Sequence, residues 1–426
     1  MASRLIGRRS MTAAGIYVSA ILGFLATIVA ARLLGVDDFA LFAIVLAAVG
    51  LLQTLLDLTV EEALTKYGFR FVTGEEWGKL RRLFRRAIAL KLGGGVLAAL
   101  ALLLLAPFAD TLFSAEGLAL PLALAALLPV VQAPEGPAAT ALILRGRYDL
   151  RGGLLALSMG LRLGGVAVGA SFGVTEAVVG IVVAQVVATA CVAAAGAAAF
   201  RRFPAAPDVP LAEETHELRR FVVSSSVATG VVSLRTSLAP LLLGMVAPPV
   251  QVGLYRAATI PQQGFGTLSA PARMILLTEQ TRQWERGEHD RVFAGIRRYS
   301  AGAAALTAVL VVPLFLLMPD LLRIVLGSDF VPASDAARIV LVAAVLQFVF
   351  GWTKSFPVTI GRPNLRVWTH GLETLVLVPL TLVFGAAWGA TGAAAALLVS
   401  TVVFAAAWAL LFVRVRRQGV TVAVAP

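Results

Sequence analysis

Gly146-Arg147-Tyr148-Asp149-Leu150-Arg151 and Gly361-Arg362-Pro363-Asn364-Leu365-Arg366 share one pattern, Gly-Arg-x-x-Leu-Arg, in a chain of 426 residues. The second copy follows the first by 215 positions (361 − 146), which is close to half of the chain. Each copy follows a long apolar segment and precedes another. A pattern that returns at half the chain length in the same setting indicates an internal duplication.

Four further landmarks recur at nearly the same offset and in the same order. They are Leu33-Leu34-Gly35 with Leu242-Leu243-Gly244, Leu41-Phe42-Ala43 with Leu254-Tyr255-Arg256, Trp77 with Trp284, and Arg201-Arg202 with Arg416-Arg417. Five ordered matches predict two homologous halves. We therefore expect an N-lobe at 1–202, a cytoplasmic linker at 203–220, a C-lobe at 221–417 and a tail at 418–426.

The composition is that of a membrane protein. Hydrophobic residues make up 59% of the chain and charged residues 14%, compared with about 25% charged in a soluble domain. The mean hydropathy is +0.87, and a water-soluble protein of this length could not bury so much apolar surface. Twelve apolar segments are long enough to span a membrane. They lie near 11–32, 39–60, 87–108, 117–141, 152–172, 176–200, 221–247, 252–278, 299–318, 335–357, 367–385 and 388–413.

The net charge is +12, and the basic residues concentrate in alternate loops between the apolar segments. If the amino terminus is cytoplasmic, the loops on that side hold most of the Lys and Arg. Those on the other side hold three basic residues, Arg32, Arg323 and Arg338, against eight acids: Asp37, Asp38, Asp110, Glu116, Glu176, Asp320, Asp329 and Asp335. The positive-inside rule therefore predicts both termini in the cytoplasm. The high pI then indicates topology and contact with anionic lipids, not nucleic-acid binding.

Six helices in each half make both halves start on the same side of the membrane. The predicted fold is therefore an all-α polytopic membrane protein of two six-helix lobes, related by a parallel pseudo-two-fold repeat. Segments 66–91 and 279–298 combine Arg and Lys with Leu or Phe, a pattern typical of amphipathic helices on the inner membrane surface.

The sequence offers no signal for an enzyme, a cofactor or a metal site. It has no Walker loop, its one cysteine (Cys191) excludes a disulfide framework, and His216, His289 and His370 are too scattered to hold a metal. The outer loops are too short for an extracytoplasmic domain. We therefore expect no catalytic residue, no cofactor, no metal and no enzymatic activity.

Polar residues follow one face of two predicted helices that occupy equivalent places in the two halves. Ionisable groups inside a span cost on the order of 2.5 kcal/mol or more, so they must face protein or water. The stripe of helix two contains Gly50, Gln53, Asp57 and Glu61, and that of helix eight contains Tyr255, Thr259, Gln262, Gly266, Ser269 and Arg273. Two matching stripes predict a hydrated cavity on the pseudo-symmetry axis.

The candidate cavity residues combine the two stripes with two further arginines. They are Gln53, Asp57, Glu61, Arg235, Tyr255, Arg256, Thr259, Gln262, Ser269 and Arg273, with Arg32, Glu135, Arg162, Lys354 and Glu373 as secondary candidates. Arg235 lies near mid-span, opposite a stripe of hydroxyl residues on the same helix. One hypothesis pairs Asp57 with Arg273 across the lobes as a cytoplasmic gate, and the other has each residue pair within its own lobe or reach water.

Three motifs carry a resemblance to a known family. Ala31-Arg32-Leu33-Leu34-Gly35, followed by Asp37-Asp38-Phe39-Ala40-Leu41-Phe42, resembles the first-loop signature of polysaccharide transporters, the O-antigen and exopolysaccharide flippases. Val252-Gly253-Leu254-Tyr255-Arg256-Ala257-Ala258 is similar to the opening of their eighth helix, and Gly361-Arg362-Pro363 to their turn after helix ten. Arg256 departs from the small residue expected after the Tyr.

This resemblance implies a fold and a function. The fold is that of the multidrug/oligosaccharidyl-lipid/polysaccharide (MOP) exporter superfamily, working by alternating access. The substrate would be a polyprenyl-pyrophosphate-linked oligosaccharide, moved from the inner to the outer leaflet of the bacterial inner membrane. Membrane lipids and polysaccharide polymerase or assembly proteins would be the partners. Arginines suit the pyrophosphate, and Gln, Ser, Thr and Tyr suit sugar hydroxyls.

Three other interpretations remain open. A drug or cation antiporter of the same fold would use acids such as Asp57, Glu135 and Glu373, although the cavity arginines disfavour cationic substrates. A membrane polymerase or ligase of lipid-linked glycans would require a sizeable extracytoplasmic loop. A scaffold without transport activity would not need two matching polar stripes.

Overall fold

The structure of the chain is a computed structural model. It describes residues 2–56, 58–211, 214–263, 279–280, 282–284, 286–362 and 364–417. Side chains are described for these residues with the exception of 2–13, 224, 228, 232, 233, 235, 236 and 358. Within these ranges every regular element is helical, as the long apolar segments predict.

Sixteen α-helices account for most of the described residues. In the first half they are α1 (Ala2–Leu56), α2 (Val60–Thr73), α3 (Trp77–Leu105), α4 (Ala109–Leu112), α5 (Ala119–Ala125), α6 (Leu127–Gln132), α7 (Glu135–Leu144), α8 (Tyr148–Gly169) and α9 (Val174–Phe200). In the second half they are α10 (Thr215–Val246), α11 (Pro249–Ala258), α12 (His289–Leu316), α13 (Met318–Val325), α14 (Ser334–Val349), α15 (Phe356–Thr359) and α16 (Asn364–Arg417).

Seven helices in the described part of the chain are long and apolar enough to cross a membrane. Two of them, Ala14–Leu56 and Asn364–Arg417, have 43 and 54 residues, more than twice the roughly 20 residues that one crossing needs. Each is interrupted by a glycine with non-helical backbone angles, Gly35 in α1 and Gly389 in α16. Each therefore contains two of the predicted spans.

The seven helices cover nine of the twelve predicted spans. The other three coincide with α10, with α11 and the residues after it, and with α14 and the short helical turns that follow it. The exposed surface of the long helices is strongly apolar, for example at Leu104 on α3 (73% exposed) and Val309 on α12 (72% exposed). In water such a surface would be unfavourable, and in a bilayer it is the lipid-facing side.

Two predicted spans differ from the structure. Helix two ends at Leu56 and the chain resumes as α2 at Val60, so Gln53 and Glu61 lie on separate helices rather than in one continuous stripe. The fourth span is divided into α5, α6 and α7. Its four prolines, at 121, 129, 134 and 137, explain the breaks, because proline lacks an N–H donor and clashes with the preceding turn.

The two predicted surface helices also take a different form. Segment 66–91 is broken at Gly74, and its second part is the start of α3, which continues to Leu105 as one helix. Segment 279–298 likewise runs into α12, which continues to Leu316. The spacing of the polar residues correctly predicted helices. It did not predict that each basic segment and the apolar span after it form one continuous helix.

Turns with positive φ repeat between the two halves. Four of those in the first half, at Glu75, Gly117, Gly146 and Gly173, have counterparts in the second half at Gly287, Gly327, Gly361 and Gly389, whereas Gly35 and Ser114 have none among the described residues. The second set follows the first by 212, 210, 215 and 216 positions. Positive φ is strained for residues other than glycine, so the recurrence of these turns supports the duplication inferred from the sequence.

The chain divides into two compact units, residues 1–237 and 238–426. In the first unit the segment 203–211 packs against the start of α3. Phe203 stacks on Trp77 with ring centroids 5.7 Å apart, and Val209 N–H donates to the Gly78 carbonyl at 3.4 Å. The predicted linker 203–220 is therefore anchored here, and its last residues already belong to α10.

Candidate functional site

The main described cavity lies inside the first unit and has a volume of about 300 Å³. Its wall is formed by α1, α2, α3, α6, α7, α8 and α9. The polar lining residues are Gln53, Glu61, Lys91, Gln132, Glu135 and Arg151. A membrane-embedded cavity with six polar side chains is expensive to maintain unless they bind something or one another.

A buried ion pair occupies one side of this cavity. The Lys91 ammonium on α3 lies 2.8 Å from a carboxylate oxygen of Glu61 on α2, and the Lys91 side chain is only 9% exposed. Gly136, near the start of α7, makes room for Glu61, because a Cβ there would lie 2.0 Å from the same carboxylate oxygen. Lys91 and Glu61 thus neutralise each other where three helices meet.

A chain of side-chain amides forms the other side. Gln53 donates to Gln132 at 2.6 Å, and Gln132 donates to Gln185 at 2.9 Å. Gln185 donates in turn to the carboxylate of Glu135 at 2.9 Å and to the Thr189 hydroxyl at 3.0 Å. Every amide in this series donates in the same direction, so the bonds polarise one another toward the carboxylate.

The second unit contains the counterpart of this amide chain. Gln262 donates to Gln347 at 2.8 Å, and Gln347 donates to the Thr401 hydroxyl at 3.3 Å. Gln262 follows Gln53 by 209 positions, Gln347 follows Gln132 by 215, and Thr401 follows Gln185 by 216. The duplication therefore extends from the turns to a three-helix network of polar side chains inside each unit.

The structure brings together part of the predicted cavity set. Gln53, Glu61 and the secondary candidate Glu135 line the cavity of the first unit. In the second unit Tyr255 is buried and Arg256 is half-buried on α11, and Thr259 bonds back to the Arg256 carbonyl at 2.7 Å. Asp57, Ser269 and Arg273 lie outside the described residues, as does the side chain of Arg235. The cross-lobe gate and the cavity on the symmetry axis therefore stay predictions.

The remaining secondary candidates lie in different surroundings. Arg32 and Lys354 are exposed. Arg162 on α8 is within electrostatic range of Glu135. Glu373 is fully buried and accepts from His370 at 3.0 Å, and the His370 ring stacks on Phe404. The last pair is a satisfied polar contact inside the second unit.

Four cavity residues escaped the sequence reasoning. Lys91 and Arg151 lie at the ends of basic stretches that the charge distribution assigns to the inner loops, and Gln132 and Gln185 are single polar residues in apolar segments. A usable signal existed for the amides, since an isolated Gln in an apolar span needs a buried partner. Lys91 is harder to recognise, because it belongs both to the basic segment 66–91 and to the start of the predicted span 87–108, and the continuous helix α3 places it inside the span.

Solved structures share this fold over almost the whole chain. An inward-facing MATE-family multidrug resistance transporter of the MOP superfamily aligns with a TM-score of 0.75 at 15% identity, covering 95% of this chain and 96% of its own. The lipid II flippase MurJ in an inward closed conformation aligns with a TM-score of 0.74 at 12% identity, covering 95% and 87%.

A third solved structure differs in the polarity of its binding pocket. It is a MOP superfamily transporter from Pyrococcus furiosus with a binding pocket of reverse polarity, and it aligns with a TM-score of 0.59 at 17% identity over 97% of this chain and 95% of its own. These identities are low enough that the likeness concerns the fold alone. The all-α, polytopic MOP fold predicted from the sequence is thereby confirmed.

Sequence comparison adds the family. No curated protein matches the chain. A family model described as polysaccharide biosynthesis protein matches residues 9–265, more than half of the sequence. The fold is the one that the MATE-family transporter and the lipid II flippase share. The chain belongs to the polysaccharide biosynthesis protein family and is a multi-pass membrane protein with the MOP transporter fold.

Proposed function

We propose that this protein is a flippase for a polyprenyl-pyrophosphate-linked oligosaccharide. It would move the glycan from the cytoplasmic to the outer leaflet of the bacterial inner membrane by alternating access, for assembly of a cell-surface polysaccharide such as an O-antigen or exopolysaccharide. Both termini would lie in the cytoplasm, as the charge distribution predicts. Polysaccharide polymerase or assembly proteins would receive the product.

The cavity of the first unit is the observation that carries this proposal. Its formal charges balance, since the lining contains Lys91 and Arg151 together with Glu61 and Glu135. A neutral, hydrogen-bonding cavity does not suit a cation as its main ligand, but it suits sugar hydroxyls, which both donate and accept. We therefore assign the glycan, not the pyrophosphate, to this cavity.

The pyrophosphate needs a site with excess positive charge. The predicted residues of that kind are Arg235, Arg256 and Arg273, all in the second half of the sequence. Guanidinium groups bind phosphate oxygens through two parallel N–H donors, which fixes orientation as well as charge. The lipid-linked substrate would thus meet its sugars in the first unit and its pyrophosphate at these arginines.

The competing function is a drug or cation antiporter of the same fold. The acids Glu61 and Glu135 in the cavity favour it, and so does the fold shared with a MATE transporter. Against it, Glu61 is already neutralised by Lys91, and Glu135 accepts from Gln185 with Arg162 within electrostatic range.

The experiment compares both activities in one preparation. Purified protein is examined by native mass spectrometry for co-bound polyprenyl-pyrophosphate glycan, then reconstituted in vesicles and assayed for glycan-lipid transfer and for dye efflux. Arg151→Gln should reduce glycan-lipid transfer roughly tenfold, because it removes a charged hydrogen-bond donor worth about 1.5 kcal/mol. Arg219→Gln, an exposed residue on α10, serves as the charge-matched control.

Two outcomes would reverse the assignment. Dye efflux that depends on Glu135, together with no glycan-lipid transfer, would make the protein an antiporter. Equal losses in Arg151→Gln and Arg219→Gln would show that the cavity has no special part in transfer.

A further inference from the structure

A second, smaller cavity lies in the first unit at the ends of α8 and α9 that are remote from their connecting turn. Its volume is about 140 Å³, and its wall includes Arg145, Arg147, Arg202, Leu150, Ala195 and Ala198. No lining residue is acidic. We call this site the arginine cavity. It combines three guanidinium groups with an apolar floor. Water would solvate only the guanidinium groups, and lipid tails only the floor.

The dimensions of α8 place this cavity at a membrane surface. Its 22 residues extend about 33 Å at 1.5 Å per residue, which matches the ~30 Å hydrocarbon core of a bilayer. Gly165 and Gly180 touch backbone to backbone, so α8 and α9 pack side by side down from their turn. Phe172 in that turn is 76% exposed, as expected of an aromatic residue at the opposite interface.

The surface below the arginine cavity is apolar. Leu150 and Leu157 lie seven residues apart on α8 and are 38% and 45% exposed, so they share one face of the helix. Val187 on α9 is 44% exposed. In a membrane these exposed apolar side chains face acyl chains.

The arginines keep hydrogen-bond donors available for an anion. Arg145 lies over the Phe203 ring at 5.0 Å, and Arg202 is exposed. Arg147 forms an ion pair with Asp149 through two N–H donors, at 3.2 and 3.3 Å, so the positive charge in excess comes from Arg145 and Arg202. A guanidinium carries five N–H donors, so neither contact uses all of them. Three guanidinium groups around one small space suit the oxygens of a phosphodiester.

We propose that the arginine cavity binds the phosphate headgroup of an anionic phospholipid of the bilayer, with an acyl chain along the exposed apolar faces of α8 and α9. Cavities that enclose a whole small ligand are usually about 300–1,000 Å³, so 140 Å³ suits a headgroup and is too small for an oligosaccharide. The proposal is independent of the substrate assigned to the larger cavity.

The second half repeats the arrangement in its backbone and sequence. Arg362 and Arg417 are 55 positions apart, the same separation as Arg147 and Arg202. The two parts of α16 pack antiparallel, since His370 stacks on Phe404 with ring centroids 4.9 Å apart and Gly392 lies against Phe384. Both arginine pairs therefore lie at the open end of a helical hairpin. Because the same placement occurs in both halves, it belongs to the duplicated structure.

The test measures lipid binding to the purified full chain by native mass spectrometry. Phosphatidylglycerol and phosphatidylcholine are titrated separately into wild-type protein, into R147Q/R202Q and into the charge-matched control R219Q/R220Q. We expect wild-type protein to prefer phosphatidylglycerol, and R147Q/R202Q to bind it roughly tenfold more weakly, since each arginine near the surface contributes on the order of 1 kcal/mol. The control should change less than twofold.

Three results would overturn the proposal. They are unchanged phosphatidylglycerol binding in R147Q/R202Q, an equal loss in R219Q/R220Q, and a loss of polyprenyl pyrophosphate binding with phosphatidylglycerol binding intact. The last would make the cavity an entry point for the transported lipid. A thermal unfolding curve for each variant shows whether it is folded. Arg202, Arg219 and Arg220 are exposed, where substitutions usually change stability by less than about 0.5 kcal/mol, whereas Arg147 is half-buried and pairs with Asp149.

Discussion

At the scale of single residues, the first unit satisfies its buried polar groups by pairing them with one another. Lys91 and Glu61 neutralise each other, and Gln132 and Gln185 relay hydrogen bonds to Glu135. Each of these residues would be costly alone inside a bilayer. Together they form a cavity wall that can exchange its internal hydrogen bonds for bonds to a ligand.

Removing one member of the ion pair should destabilise the protein more than removing both. Lys91→Met leaves Glu61 without its cation, and we expect a loss of about 2 kcal/mol, less than the 3–5 kcal/mol of a fully buried pair because Glu61 is partly exposed. The double variant K91M/E61Q should recover much of that loss. Thermal unfolding in detergent, analysed as a double-mutant cycle, measures the coupling.

The control for this cycle is Lys66→Met. Lys66 contacts Glu217 at 4.0 Å, and both side chains are 55% exposed, so its loss should cost no more than about 1 kcal/mol. A double variant as unstable as Lys91→Met would contradict the pairing.

A second residue-scale prediction concerns acid. Glu214 lies just after the anchored segment and accepts from the Lys79 ammonium at 2.7 Å, and this hydrogen bond lowers the pKa of Glu214 below its ordinary value of 4.5. Because the folded pKa is the lower one, the contact stabilises the fold above about pH 4.5 and is lost as the pH falls through the folded pKa.

Glu214→Gln should therefore lower the unfolding temperature at neutral pH and flatten its decline between pH 5 and pH 3. Melting curves across that pH range measure the effect, and Glu116→Gln, at an exposed position, is the control. If the unfolding temperature of wild type and Glu214→Gln falls equally between pH 5 and pH 3, the Lys79–Glu214 contact contributes nothing to stability.

At the scale of elements, glycines decide how closely α8 and α9 approach. A Cβ on Gly180 would lie 2.1 Å from the Gly165 carbonyl oxygen, and a Cβ on Gly165 would lie 2.3 Å from that of Gly180. Small residues that let backbones touch are a main source of helix association in membranes, where no hydrophobic effect drives the helices together. This hairpin contributes Gln185 and Thr189 to the amide chain, and its open end lines the arginine cavity.

Gly180→Ala should separate the two helices, since the backbone atom that it meets cannot move aside. We expect a loss of ~1–3 kcal/mol in unfolding free energy. Gly164→Ala is the matched control one position from Gly165, because a Cβ there meets nothing within 4 Å. That variant should be neutral or more stable by up to about 1 kcal/mol from helix propensity. Equal melting temperatures for the two variants would refute the contact.

At the scale of the whole molecule, the duplication unites the separate observations. Four positive-φ turns, the amide chains and the terminal arginine pairs recur at offsets between 209 and 216 residues. A half with an even number of spans returns the chain to its starting side, so a repeated half keeps its basic loops on one face. The repeat therefore predicts the charge asymmetry.

This topology can be tested with single cysteines in a Cys191→Ala background. Phe172→Cys in the α8–α9 turn should react with a membrane-impermeant maleimide in intact cells, because the predicted orientation puts that turn outside. His216→Cys at the start of α10 should react only after the cells are permeabilised. The reverse labelling pattern would invert the predicted orientation, and labelling of both in intact cells would invalidate the span count.

The sequence alone was sufficient for the class of fold. Apolar length, loop charge and the repeated Gly-Arg turn depend on local composition, and a bilayer acts on each segment separately, so twelve spans and two halves could be predicted. Helix breaks were partly visible too, since prolines divide the fourth span. The end of helix two at Leu56 carries no comparable signal, because no proline or glycine lies nearby in Leu55 to Val60.

Sequence by itself thus determined that this chain is polytopic, duplicated and all-helical, because hydropathy and charge are properties of each residue. Its link to polysaccharide transporters came from the resemblance of three motifs and not from hydropathy or charge. Which polar groups meet was decided only by tertiary structure. Gln53, Gln132 and Gln185 come from three helices far apart in sequence, and Lys91 pairs with Glu61 only because α2, α3 and α7 converge. Such contacts depend on how the helices pack, and periodicity along one helix carries no information about its neighbours.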